Sequence, residues 1–254
     1  MVAWLNGLVT QPSAHLKNIL SEIHRRHQSG QKSLVVFDLD STLFDVSPRI
    51  QKILQDFSQD KTHRAQFPES CQILESIEMW KQDWGFKDAL ARAGLGDHHP
   101  DFHLAVKNFW SKTFFTNEYL EYDMPYDGAC EYVQAVQAAG ADISYLTGRD
   151  IPRMGPGSLS VLKKWKFPVG EEQAQLVLKP QKEMDDAQFK VDYFSPALKK
   201  QFSKIWFFEN EPVNIDLVRK VHPDIEVVFF DSTHSGLSQA PLDLPTIMHY
   251  LLEE

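Results

Sequence analysis

Residues 34–44 read LVVFDLDSTLF. Leu34, Val35, Val36 and Phe37 form a short, uninterrupted apolar run rich in β-formers. A run of this kind suits a strand buried on both faces, as in a parallel sheet sandwiched between helices. It stops abruptly at two carboxylates, Asp38 and Asp40. In a continuing strand both would point the same way. A bend after Asp38 would instead let them converge on one small ligand from different angles.

The chain on either side supports the same class. Upstream, PSAHLKNILSEIHRRHQSG (12–30) repeats apolar residues at helical spacing, with Ser13 as a cap and Gly30 as a stop. Downstream, IQKILQDF (50–57), CQILESIEMW (71–80) and DFHLAVKNFWSKTFF (101–115) read as helices with apolar faces. After them, ADISYLTGR (141–149), AQLVLKP (174–180), KIWFFENE (204–211) and EVVFFDS (226–232) are strand-sized runs separated by helical patterns such as SLSVLKKWKF (158–167). Five such strands predict a three-layer α/β fold. The boundaries expected are a core of 1–45 with 126–254, and a mainly helical insertion over 46–125. Ligands of such sheets bind beyond the strands' carboxyl ends. Asp38, Asp40, Thr147, Lys179, Glu209, Glu211 and Asp231 all fall there.

These residue types suggest phosphate chemistry. One carboxylate can attack phosphorus while its neighbour protonates the departing oxygen and later activates water. Two negative charges beside a phosphate need a divalent cation and a lysine to offset them. Lys179 and Lys190 compete for the lysine position. Thr147 offers a hydroxyl to a phosphoryl oxygen, Gly148 permits a tight turn, and Arg149 reads as either a substrate contact or a loop brace. Glu209 and Glu211 offer oxygen ligands suited to Mg²⁺, in a polar loop with Asn210. His98, His99 and His103 have no metal spacing and read as surface histidines. The Trp80/Trp84 and Phe109/Trp110/Phe114 sets read as helix packing, with the lining of a pocket beneath a cap as the alternative.

Together, LVVFDLDSTLF, ISYLTGR, AQFKVDYF and FFENEPVNID resemble the four motifs of the haloacid dehalogenase superfamily, specifically its aspartate-nucleophile phosphatases, with acid-phosphatase-like features around MPYDGACEYVQAVQAAG. The resemblance implies a Rossmann-like parallel sheet under a mainly α-helical cap. It makes Asp38 the nucleophile, Asp40 the general acid/base and Thr42 part of the motif's turn. Thr147 and Lys190 become the phosphate-binding residues, with Lys179 the alternative. Mg²⁺ would be held by Asp38, the backbone carbonyl of Asp40 and an acid of the 209–211 loop. The fourth motif departs from the usual pattern, with Asn210 where aspartate is common. The implied function is Mg²⁺-dependent hydrolysis of a small phosphomonoester; a phosphotransferase or a non-catalytic phosphate- or metal-binding relative are the alternatives.

Composition narrows the partners. The net charge of −9 argues against a general nucleic-acid-binding surface. The first apolar cluster, MVAWLNGLV, lacks the basic flank and cleavage pattern of a leader, and no run reaches the ~18 apolar residues of a spanning helix. Cys71 and Cys130 make no disulfide framework or zinc motif, which favours the cytoplasm.

Overall fold

In the computed structural model, which describes residues 12–96 and 100–253, Ser33–Phe37 forms β1, buried along its whole length. Side chains of a strand alternate between faces, so each face of β1 nucleates its own core. Val35 and Phe37 pack with Leu16, Ile19 and Val133. Leu34 and Val36 pack with Val191, Ile215 and Val218. Helices Pro12–Gln28 and Ala129–Ala138 thus cover one face, and Asp186–Tyr193 and Pro212–Val221 the other. The layers are three.

The remaining strands are β2 (Phe44–Asp45), β3 (Met124–Pro125), β4 (Asp142–Asp150), β5 (Ala174–Lys179), β6 (Lys204–Glu209), β7 (Glu226–Phe230) and β8 (Thr246–Ile247). The main sheet runs β5-β4-β1-β6-β7-β8, with every neighbouring pair parallel. Counted along the chain within this sheet, the order is the doubly wound, Rossmann-like one. It reverses at β1, which lies between β4 and β6. The crevice beyond the carboxyl ends of β1 and β6 is therefore where a ligand site belongs.

The insertion leaves and returns through an antiparallel pair, with Phe44 opposite Pro125 and Asp45 opposite Met124. Between them lie helices Ser47–Gln59, Lys61–Gln66, Pro68–Leu74, Phe86–Arg92 and Pro100–Thr113, then a 3₁₀ turn at Glu118–Tyr122. Pro48 opens the first of these helices, where its missing N–H costs nothing. Ile50, Leu54 and Phe57 project from it into a separate core with Leu74, Leu90 and Phe102.

Three local expectations need correction. The first helix spans Pro12–Gln28, so Ser13 lies inside its first turn. The helix expected over 158–167 spans Ile151–Lys164: Asp150 caps it by accepting the N–H of Arg153 at 3.0 Å, and Pro152 sits where proline is tolerated. Trp80 and Trp84 pack in no helix; they lie on the loop before Phe86–Arg92, 52% and 57% exposed. The sheet also gains a sixth strand, β8, too short to register as an apolar run. The cluster MVAWLNGLV, together with His98 and His99, lies outside the described residues. No described helix is long and apolar enough to cross a membrane.

Candidate active site

β1 ends by donating the Asp38 N–H to the Phe208 carbonyl at 3.0 Å, so Asp38 still belongs to the ladder. The chain then turns sharply. Leu43 and Phe44 both donate to the Leu39 carbonyl, and Ser41 takes a left-handed φ of 61°. This turn sends the two carboxylates into different surroundings. They line one cavity of about 230 Å³, also bounded by Thr147, Arg149, Lys190 and Asn210.

Asp38 is 4% exposed. Lys190 donates to its Oδ1 at 2.6 Å and to Glu209 Oε2 at 2.5 Å, bridging β1 and β6 with one buried ammonium. Burial pushes the Asp38 carboxyl up to about 7; Lys190 opposes this, while the Glu209 and Asp40 charges add to it. Burial disfavours charge on Lys190 too, yet Asp38 and Glu209 together hold its ammonium above the ordinary lysine value. The helix Asp186–Tyr193 carries Lys190 inward, with its Asp185 cap accepting the Gln188 N–H at 2.9 Å.

Asp40 sits among arginines. Arg49 Nη2 and Arg149 Nη2 each donate to its Oδ1 at 2.7 Å, and Arg149 Nε donates to Oδ2 at 3.0 Å. Burial alone would raise this carboxyl, but the Arg149 and Arg49 charges outweigh it and hold Asp40 well below the usual carboxylate range. The same two guanidiniums clamp Asp123, at 2.6 Å from Arg49 Nη2 and 2.7 Å from Arg149 Nη2. Neither Arg49 nor Asp123 carries a local sequence signal; they meet across 74 positions.

The other candidates divide. Thr147 is 1% exposed, at the cavity wall, and accepts the Arg149 N–H at 3.3 Å. Gly148 packs closely against the Asp186 carboxylate, since a Cβ there would lie 2.5 Å from Asp186 Oδ2 and push that side chain aside. Lys179 donates to Asp186 and the Met184 carbonyl, at 2.5 and 2.9 Å, and stays out of the cavity wall. Glu209 is fully buried; besides Lys190, it accepts the N–H groups of Asn210 and Glu211, each at 2.9 Å, and Asn214 Nδ2 at 3.2 Å. Glu211 turns its carboxylate to the next loop, accepting Ser235 N–H at 2.8 Å and Ser235 Oγ at 2.7 Å.

Among the described residues, no three His, Cys, Asp or Glu side chains converge as a metal group. The donor set nonetheless fits a hard cation that keeps most of its water. Thr42 Oγ1 lies 3.1 Å from Asp38 Oδ2 and 2.9 Å from Asn210 Oδ1. A hydroxyl has one proton, so one of those two oxygens faces it without a hydrogen bond. A carboxylate oxygen and an amide oxygen that share this single donor suit Mg²⁺, which takes one or two carboxylates plus phosphate and water.

Comparison with known proteins agrees with the fold. The chain resembles the Mycobacterium tuberculosis Protein Tyrosine Kinase A at 15% identity, with a TM-score of 0.51, covering 85% of this chain and 93% of that one. It also resembles a subfamily IA haloacid dehalogenase superfamily hydrolase from Geobacter sulfurreducens, at 13% identity and a TM-score of 0.50, covering 86% and 93%. At these identities the likeness is one of architecture. No curated protein matches. The family pattern described as haloacid dehalogenase-like hydrolase matches residues 32–160, just over half the chain, running from β1 and its aspartates through Thr147 and Arg149. The chain belongs to the haloacid dehalogenase-like hydrolases.

Proposed function

We propose that this protein is a Mg²⁺-dependent phosphohydrolase that cleaves a small phosphomonoester through an aspartyl-phosphate on Asp38. The observation that carries the reading is the Asp38 carboxylate at the sheet's reversal point, 2.6 Å from Lys190 in a cavity that Thr147 also lines. Residues 46–125 act as the cap, over a core of 1–45 and 126–254. The free thiols Cys71 and Cys130 support a cytoplasmic setting.

An oxygen of Asp38 attacks phosphorus as the bond to the leaving oxygen breaks, and Asp40 gives that oxygen its proton. Water then attacks phosphorus, passing one proton to Asp40. The bond to Asp38 breaks, inorganic phosphate leaves, and both aspartates return to their starting states. Because Arg49 and Arg149 favour ionised Asp40, Asp40 must first leave these guanidiniums and take a proton from solvent; that protonated form is the starting state of the cycle. Lys190 and Thr147 hold phosphoryl oxygens, and Lys190 offsets their growing charge. Asp38, Asn210 and the Asp40 carbonyl would hold Mg²⁺, which would supply charge neutralisation.

A panel of phosphomonoesters, assayed for phosphate release with and without Mg²⁺, tests the reading. Product formed only with an added acceptor alcohol would mark a transferase instead, and no turnover at all would reject the proposal. The two lysines should separate: Lys190→Met is expected to lower kcat/KM by about a hundredfold, as for loss of a preorganised donor. Lys179→Met should stay within about fivefold and show its effect in Tm, since it touches Asp186 and backbone carbonyls.

The metal ligands should separate as well. Asn210→Ala is expected to raise the Mg²⁺ concentration for half-activation by about tenfold or more. Glu211→Gln should change it by less than about threefold, because Ser235 already engages that carboxylate. An Asn210→Ala shift below about threefold would remove Asn210 from the site.

A further inference from the structure

A second cavity, of about 420 Å³, opens on the other side of Asp40. It shares Asp40, Ser41, Trp84 and Thr233 with the first, so the two adjoin at the proton donor of the proposed reaction. Its character is different. Trp84, Phe86, Trp110 and Phe114 supply aromatic walls, with Val46 and Ile50 between them. The rings of Trp110 and Phe114 stack at 4.8 Å, and that of Phe86 lies 5.8 Å from Trp110. All of these residues come from the insertion.

The charged residues in the wall are not balanced. Asp40 is neutralised by its two arginines. The carboxylate of Asp83 is taken by the Arg92 guanidinium and by the Trp80 N–H at 2.7 Å. Lys87 and Lys107, both exposed to solvent, also line the cavity, and among the described residues neither has an ion-pair partner. An apolar, ring-lined chamber with two solvent-exposed, unpaired ammonium groups in its wall suits a flat apolar group that ends in an anion.

Resting on the phosphohydrolase reading, we propose that the second cavity receives the leaving group of the substrate. That substrate is a phosphomonoester of an aromatic alcohol carrying a carboxylate remote from the phosphate. With the phosphoryl group between Asp38 and Thr147, the bridging oxygen falls at Asp40, where the two cavities meet. The ring lies against Trp110 and Phe114, and the carboxylate faces Lys87 and Lys107.

Binding of non-hydrolysable phosphonates tests this separately from turnover. Titration calorimetry of the whole chain with Mg²⁺ should show benzylphosphonate binding about tenfold tighter than methylphosphonate, from burial of the ring. para-Carboxybenzylphosphonate should bind about two- to fivefold tighter again, the scale of partly exposed ion pairs. Trp110→Ala should collapse the benzyl-to-methyl ratio. Trp84→Ala should lower the same ratio from a loop position that is 57% exposed, so the test survives if the first variant does not fold. The pair Lys87→Gln and Lys107→Gln should erase only the carboxylate increment.

Benzylphosphonate binding no tighter than methylphosphonate would overturn the proposal, as would aromatic variants that weaken both ligands equally. A wild-type protein that binds in the expected order, yet releases phosphate from no ester of the panel with Mg²⁺, para-carboxybenzyl phosphate included, would reject the phosphohydrolase reading and leave this binding site standing. Turnover of panel esters without the binding order would do the reverse.

Discussion

Asp38→Asn is expected to lower kcat by about ten-thousandfold or more while leaving the fold in place, the scale seen when a covalent nucleophile is removed. The amide is nearly isosteric with the carboxylate and still offers an oxygen to Lys190, which keeps Glu209 as its second partner. The substitution also removes one of two buried negative charges that share a single ammonium. Burial already disfavours the ionised form of Asp38, so stability should change by less than about 1 kcal/mol. Two measurements check this. Rapid quench followed by peptide mapping should find the phosphoryl adduct on Asp38 in the wild type and none in the variant, and thermal melts should nearly coincide. A variant retaining a tenth of wild-type activity would defeat Asp38 as nucleophile. A variant that failed to fold would show the carboxylate to be structural.

The route to that expectation was legible in the sequence because the relevant signals are local. The apolar run at 34–37, its termination in acids and the repeated polar strand ends all follow from one constraint: a strand buried on both faces can expose polar groups only where it stops. Asp38, Asp40, Thr147, Lys190, Glu209 and Asn210 consequently line a single cavity. What was hidden has equally physical causes. Helix Ile151–Lys164 begins in IPRMGPG, whose prolines and glycines read as a turn until the Asp150 cap is seen. β8 is two residues long and exists because β7 offers it an edge. Trp84 looks like helix packing by residue type, yet it stands on a loop between two cavities. Arg49 and Asp123 are the largest omission. A buried arginine is paired by tertiary contacts, and no spacing rule joins positions that far apart.

That omission leads to the largest expected effect on stability. Asp123→Ala should cost about 3–5 kcal/mol, the usual loss on breaking a buried ion pair. Asp123 is fully buried and accepts two hydrogen bonds from Arg49, at 2.7 and 2.6 Å, and one from Arg149 at 2.7 Å. Without it, two buried guanidiniums share Asp40, whose side chain is 33% exposed. The four groups come from the β1 turn, the end of β4, helix Ser47–Gln59 and the residue before β3. They fasten the base of the insertion to the core beside the candidate acid. For a chain of this length the loss corresponds to a fall in Tm of about 10 °C. Arg49→Met in the same background should recover part of it, because one guanidinium then faces one carboxylate, giving a coupling of about 1–3 kcal/mol in a double-mutant cycle. The Arg49 guanidinium also lies over the Phe114 ring, its Cζ 4.4 Å from the centroid, so the methionine gives up a cation–π contact there and the recovery is partial. Denaturant melts of the two singles and the double settle the matter. Strict additivity, or an Asp123→Ala loss below about 1 kcal/mol, would mean that the arginines are balanced by Asp40 and water alone.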